Sequence, residues 1–322
     1  MHCPGAPTAI PRTASRRSAV RPRPAGRAIR ALLVATCLAL GLSGCSVIGV
    51  FYERLDTLVL REAERWFDLD SAQAVRLRER VDARLAQHRA EELPRYAAFL
   101  ERSADVVGSS ATPEQLQQKF DLLEGILRDA LRHSIPALSD TLAELQPTQV
   151  ERLARRLEES NAEYREEYLD APATRRRAER IEAATEGVER WSGRLEPAQR
   201  ALLAGMIDAI PDDAGAWYER RLLWQQGLLE LLRQGASAQT HAAYLESWWI
   251  DDSRRDAGHA AQLERNRAVT AAALATLIDG LSPAQRTRAA GRLRDMAAEF
   301  RVLHARAVGP GAAADVASTR LP

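Results

Sequence analysis

Apolar residues recur every three or four positions along most of the chain between residues 47 and 308, a spacing that predicts amphipathic α-helices. One stripe consists of Leu116, Phe120, Leu123, Leu127 and Leu131. Similar stripes contain Val150, Leu153 and Leu157; Trp217, Trp224 and Leu228; and Leu293, Met296, Phe300 and His304. The faces between them are rich in Arg and Glu, and strand-like alternation is almost absent. We therefore expect an all-α protein, a multi-helix bundle of roughly ten helices that is elongated or two-lobed.

One short pattern opens several of the predicted helices. It occurs at residues 69–73, 111–115, 145–149, 195–199 and 281–285. In the last copy Ser282 can cap the helix, Pro283 fits the first helical position, and Gln285 can bond back to the cap. Asp279-Gly280 supplies a stop for the preceding helix, which predicts an αα-hairpin. Four prolines are expected to mark further joints: Pro94, Pro136, Pro172 and Pro211.

The N-terminus has the pattern of an export leader. Seven arginines and no acidic residue lie in residues 1–44, and an uncharged apolar run occupies residues 31–42. Such a segment is typical of a cleaved signal peptide and is too short to span a membrane as a mature helix. On the simplest interpretation it is an ordinary signal peptide that ends by chance near a cysteine.

The end of this leader, Leu42-Ser43-Gly44-Cys45, resembles the lipobox of bacterial lipoproteins. The resemblance implies that residues 1–44 are removed and that Cys45 becomes an acylated first residue, anchoring the protein in a membrane. By the sorting rules of that class, Ser46 rather than Asp implies the inner leaflet of the outer membrane, facing the periplasm. Several acyl chains on one residue would anchor the chain stably.

The charge of the chain divides at the same boundary. The whole sequence has 45 basic and 44 acidic residues, a net of +1, and removing the leader's seven arginines leaves a net of −6. A net-acidic body without a basic stripe argues against nucleic acid as a partner. We expect a helical periplasmic domain over residues 45–308 and a disordered tail, rich in Gly, Ala and Ser, over residues 309–322.

Two segments near the N-terminus carry a family resemblance. They are the run from Leu60 to Leu69 and the run His88-Arg89-Ala90-Glu91-Glu92-Leu93-Pro94-Arg95-Tyr96. Together with the lipobox, Tyr52 and Trp248-Trp249, they resemble an uncharacterised family of proteobacterial lipoproteins that contains a domain of unknown function. The resemblance covers most of the mature chain. It implies an envelope location and a helical fold, and no catalytic residue.

The helix-opening pattern also resembles the Leu-Thr-x-x-Gln motif of Spy- and CpxP-type periplasmic stress chaperones, which are all-helical. This resemblance covers five pentapeptides. Local helix capping explains the same residues without kinship.

Candidate chemistry is sparse. His88 lies on the face of Leu77, Val81 and Leu85, with Glu92 one turn later, so His88 with Glu91 or Glu92 could bind a metal or move a proton. The alternative is an ion pair at the edge of the core. No compact His/Glu ligand spacing, nucleophile elbow or phosphate loop occurs, so we expect neither a metal nor another cofactor.

Trp248, Trp249, Asp251 and Asp252 form the second candidate cluster. Adjacent tryptophans point in different directions along a helix, so one of them can line a groove. The two acids after them are the candidates for acid catalysis, and their alternative role is a solvated helix end.

These observations leave three classes of function open. The first is a non-enzymatic envelope lipoprotein that binds a protein or another envelope component through a helical surface. The second is a Spy/CpxP-like chaperone or stress-sensing module. The third is a hydrolase of an envelope polymer that uses acids such as Asp251 or Asp252.

Overall fold

The computed structural model of the chain describes residue 52, residues 54–251 and residues 257–318, with side chains described as far as residue 309. Every regular element within these ranges is helical, which confirms the predicted all-α fold. The leader, Cys45 and Asp252 lie outside the described residues.

The described ranges contain eleven α-helices and two five-residue π-helical turns, π1 and π2. The first group is α1 (Leu55–Phe67), α2 (Ser71–Gln87), π1 (His88–Glu92), α3 (Leu93–Gly108), α4 (Pro113–Ala143), α5 (Pro147–Tyr164) and π2 (Arg165–Leu169). The second group is α6 (Ala173–Ser192), α7 (Pro197–Ala209), α8 (Ala214–Arg233), α9 (Ala238–Trp249), α10 (Ala257–Asp279) and α11 (Pro283–Ser318). Because π1 joins α2 to α3 and π2 continues α5, the described chain runs through ten continuous helical rods, in agreement with the sequence. None of the described helices has the length and apolar character needed to cross a bilayer.

Several helix ends lie where the sequence places them. The Ser282–Gln285 capping box forms in both directions, at 2.9 and 3.2 Å, and α10 ends at Asp279, as the sequence predicts. The predicted αα-hairpin is wrong, because α11 packs along α3 rather than back along α10. The proline prediction at Pro136 is wrong, because Pro136 lies inside α4. Pro94 lies at the start of α3, where π1 joins it. α11 is interrupted at Gly309, whose φ of 73° is left-handed, next to the predicted domain end at residue 308. The disordered tail stays a prediction.

Four of the five helix openings dock in pairs through their glutamines. Gln73 and Gln149 are buried, and each donates its side-chain amide to the other's carbonyl oxygen, at 3.1 and 2.7 Å. Each Oε1 also accepts from the cap residue of its own helix. Gln73 Nε2 also donates to the backbone carbonyl of Glu144, and Gln149 Nε2 donates to that of Asp68. Every hydrogen-bonding position of the two amides is therefore used.

The same arrangement recurs between α7 and α11. Gln199 and Gln285 exchange hydrogen bonds of 3.0 Å in both directions, and their second amide protons go to the carbonyls of Gly280 and Arg194. The fifth copy does not pair in this way: Gln115 bonds to Thr112 and is exposed. In this fold the glutamines of the repeated pattern therefore fasten the starts of distant helices to one another.

The core of the described residues is divided into several clusters, two of which share α4. The largest contains Trp66, Ile135, Leu153, Leu228 and Leu245, and so unites α1, α4, α5, α8 and α9. The N-terminal half of α4 enters a second cluster against α10. With 31 residues α4 is about 46 Å long, which lets one helix serve both clusters.

Candidate functional site

The π-helical turn His88–Glu92 places a carboxylate inside the protein. Pro94, two residues later, has no N–H to donate to the carbonyl of Ala90, so the regular i to i−4 ladder is interrupted here. The N–H of Leu93 bonds to the carbonyl of His88 instead, five residues back. π-turns of this kind occur frequently at functional sites. The result is that Glu92 is directed inward, with 2% of the residue exposed.

Donors from three helices surround the Glu92 carboxylate. Arg84 of α2 reaches both oxygens, at 2.8 and 3.1 Å. The Tyr96 hydroxyl donates at 3.0 Å, and His133 Nδ1 of α4 lies 3.0 Å from Oε1. Burial favours a neutral Glu92, but the hydrogen bond and charge of Arg84, with His88 and His133, outweigh burial and hold the pKa of Glu92 below its ordinary value. The group is therefore a buried, fully bonded carboxylate.

His88 extends this network to Tyr52. Burial, with the nearby charges of Arg84 and Arg89, lowers the pKa of His88 to about 4 despite the opposing charge of Glu92. Burial also raises the pKa of Tyr52, so the phenol keeps its proton and donates to His88 Nδ1 over 2.5 Å. The neutral imidazole then carries its proton on Nε2, which faces Glu92 Oε2 at 3.7 Å. The Tyr52 and His88 rings stack, with centroids 5.7 Å apart.

The network ties together elements that are far apart in the chain. Tyr52 packs in one cluster with Leu93 of α3 and Leu303 of α11. His304 of α11, buried as the sequence stripe predicts, has Nδ1 3.0 Å from the carbonyl of Arg89. His133 is the member most open to solvent, with 37% of its side chain exposed. A protonatable group at the surface is thereby linked to a buried carboxylate.

The structure brings His88 and Glu92 together, as the sequence spacing predicts. Arg84 is not among the residues predicted for the site, although it lies four residues before His88, which itself lies four before Glu92. Polar residues at this spacing on an otherwise apolar helix face indicate a buried polar network, and this pattern would have identified Arg84. His133 is 41 residues from Glu92 and carries no such signal. No group of three or more His, Cys, Asp or Glu side chains suited to a metal is present among the described residues.

The second predicted cluster occupies a different part of the fold. Trp248 and Trp249 are half-buried and pack against the largest core cluster. Trp249 stacks on Trp224 at 6.3 Å, and Trp248 contacts Tyr244 at the same centroid distance. Asp251 is exposed at the end of α9, and Asp252 lies outside the described residues. The groove role of the two tryptophans stays a prediction.

The described part of the chain is therefore an all-α protein with a buried carboxylate at a π-helical turn. The chain belongs to DUF6279, described as a family of unknown function, whose model matches residues 65–252. That range includes Arg84, Glu92, Tyr96 and His133, but not Tyr52. No curated protein and no solved structure matches the chain. The predicted domain of unknown function is thus confirmed.

Proposed function

We propose that the protein is a lipoprotein of the cell envelope, anchored through Cys45, whose helical domain faces the periplasm and binds a protein or another envelope component. The outer membrane is the proposed location, because Ser46 follows the cysteine. The role is non-enzymatic.

The position of Tyr52 carries the proposal. Tyr52 is 6% exposed and bonded into the domain, only seven residues after Cys45. Seven residues span at most about 25 Å, so an acylated Cys45 would hold the Tyr52 end of the domain next to the bilayer. A signal peptide that ended by chance near a cysteine would not require its domain to begin so close to that cysteine.

The chemistry of the Glu92 network favours a structural role over catalysis. Its carboxylate receives the chain's own donors from Arg84, Tyr96 and His133. Two cavities in the described part of the chain are lined by other residues. A general acid or base must reach the proton that it moves. Glu92 is instead arranged to fix α2, π1, α3 and α4 relative to the segment that leads to Cys45.

No observation in the described structure specifically supports the chaperone or the hydrolase alternative. The glutamines of the chaperone-like pattern at Gln73, Gln149, Gln199 and Gln285 are buried in the fold, so they offer no surface to a client protein. Asp251, a candidate acid of the hydrolase hypothesis, is exposed rather than held in a cleft. Both alternatives stay predictions.

Metabolic labelling with radioactive palmitate tests the anchor, and the chain contains a matched control. The native protein and a Cys37→Ala variant are expected to be labelled, because Cys37 lies within the apolar run of the leader. A Cys45→Ala variant is expected to remain unlabelled. Label that persists in Cys45→Ala, or that is missing from the native protein, would refute the proposal.

Site-specific photocrosslinking in cells tests the binding role. Suitable positions are the exposed apolar residues Leu122, Leu223 and Val302, which are 46%, 60% and 45% exposed. At least one position is expected to give a discrete adduct that disappears in the Cys45→Ala background. The absence of an adduct at all three positions would count against partner binding.

A further inference from the structure

A small cavity, the Trp66–Arg156 pocket, lies where the C-terminal end of α1 meets α5. Its volume is about 140 Å³. Its lining is formed by Arg65, Trp66, Arg156, Glu159, Ser160 and Glu163. The Trp66 indole is fixed by a 2.8 Å hydrogen bond to Glu62, so one wall is rigid. The pocket is separate from the Glu92 network.

Charged groups of both signs line this pocket without neutralising one another. Arg156 Nη1 is buried and has no hydrogen-bond partner among the described residues. Arg156 forms no ion pair with Glu159 or Glu163 in the described structure, although all three lie on one helix. Arg65 is held only loosely, 3.8 Å from Glu62. The charged side chains of Arg65, Glu159 and Glu163, which are exposed, and of Arg156, which is half-buried, are therefore available to a polar group bound in the pocket.

The size of the pocket limits the group that fits. A cavity of about 150 Å³ can bind benzene, which has six non-hydrogen atoms. A pocket of about 140 Å³ therefore has room for a group of about that size. The ammonium, α-carbon and carboxylate of an amino acid contain five non-hydrogen atoms. Ser160 Oγ accepts a 2.7 Å hydrogen bond from Arg221 and retains its own proton to donate to a carboxylate.

We propose that the Trp66–Arg156 pocket binds the zwitterionic head group of an α-amino acid. Arg156, Arg65 and Ser160 receive the carboxylate, and Glu159 and Glu163 receive the ammonium. The amino acid's side chain extends through the open mouth of the pocket. This head group occurs on free amino acids and on diamino acids joined to a peptide through one amine, and both present the same chemistry. The proposal is independent of the lipid anchor, because all of its residues lie in the helical domain.

The test is a titration of the purified full chain with glycine, followed by NMR through the Trp66 indole N–H and assigned with a Trp66→Phe variant. Glycine is expected to shift this signal saturably. N-Acetylglycine lacks the ammonium and glycinamide lacks the carboxylate, so each is expected to bind at least about tenfold more weakly. Diaminopimelate acylated at one amine distinguishes the two sources of the head group. If it binds more tightly than glycine, the site is assigned to a head group carried by a peptide. If it binds equally well, the site is assigned to free amino acids.

Matched variants show which residues are responsible for glycine binding. Arg156→Gln and Glu163→Gln are expected to weaken glycine binding at least about tenfold, whereas the exposed neighbours Arg155→Gln and Glu158→Gln leave it unchanged. Glu163 is exposed, so its variant tests the site even if Arg156→Gln does not fold. The proposal is overturned if glycine gives no saturable shift up to about 10 mM, a concentration that covers even weak specific ligands. It is also overturned if inorganic phosphate or N-acetylglycine binds as well as glycine, or if Arg155→Gln and Arg156→Gln behave alike.

Discussion

Lowering the pH should destabilise the protein through His88. The pKa of this histidine is about 4 in the folded protein and about 6.5 when the chain is unfolded, and 16% of its side chain is exposed. Between pH 6.5 and pH 4 the unfolded chain binds a proton at His88 and the folded protein does not. The free energy of unfolding therefore decreases as the pH falls. Linkage with the two pKa values gives a loss of about 2 kcal/mol between pH 7.5 and pH 5, and about 3 kcal/mol below pH 4.

Urea unfolding of the native protein and a His88→Gln variant at both pH values measures this loss. Glutamine can accept the hydrogen bond of Tyr52 but does not titrate. Burial also lowers the pKa of His241, and the lowered pKa of Glu92 destabilises the protein at still lower pH. The contribution of His241 is common to both proteins and cancels in the comparison, and the lowered pKa of Glu92 places its titration below the pH range measured.

The native protein is therefore expected to lose about 2 kcal/mol more than His88→Gln when the pH falls from 7.5 to 5. Equal losses in the two proteins would show that His88 is not held neutral, and the described hydrogen bonding of Tyr52, His88 and Glu92 would be wrong. A native protein that is more stable at pH 5 than at pH 7.5 would contradict the sign of the argument.

Four other substitutions have expected outcomes that can be measured. Glu92→Gln removes the only carboxylate that pairs with Arg84 in the described structure, and the Arg84 side chain is only 13% exposed. The substitution should lower the free energy of unfolding, measured in urea, by about 3 kcal/mol. A loss below about 1 kcal/mol would mean that the Arg84–Glu92 pair is not desolvated. Gln149→Leu leaves the buried amide of Gln73 short of two hydrogen bonds and should lower the free energy of unfolding, measured by thermal unfolding, by about 3 kcal/mol. Gln115→Leu, at the exposed copy, loses only the bond that its Oε1 accepts from the Thr112 N–H and should cost about 1 kcal/mol. Equal losses of stability in Gln149→Leu and Gln115→Leu would refute the pairing of Gln73 with Gln149. Ser46→Asp should move the protein from the outer to the inner membrane in a density gradient, and an unchanged distribution would remove the sorting argument.

Local signals are sufficient to predict the helices. The capping boxes at Thr112 and Ser282 lie where the sequence places them, because a cap depends on residues within one turn. The prediction at Pro136 is wrong because it, too, rests on local signals alone. A proline usually ends a helix, but the residues of α4 on both sides of it pack into the core through Ile135 and Leu142, and this packing holds the helix together.

The pairing of helix starts and the partners of Glu92 could not be predicted in this way. Gln73 meets Gln149 from 76 residues away, and nothing in either pentapeptide selects the other. The His88–Glu92 pair is visible as an i, i+4 spacing, whereas His133 reaches the carboxylate only because α4 packs beside α2 and α3. The Trp66–Arg156 pocket likewise depends on the contact of α1 with α5. Such contacts are properties of the tertiary structure.

The most direct test of the proposed function is mass spectrometry of the mature N-terminus. The account predicts that the protein recovered from membranes begins at Cys45 and that its first tryptic peptide carries the added mass of acyl chains. A mature chain that begins at another residue, or an unmodified Cys45, would contradict it.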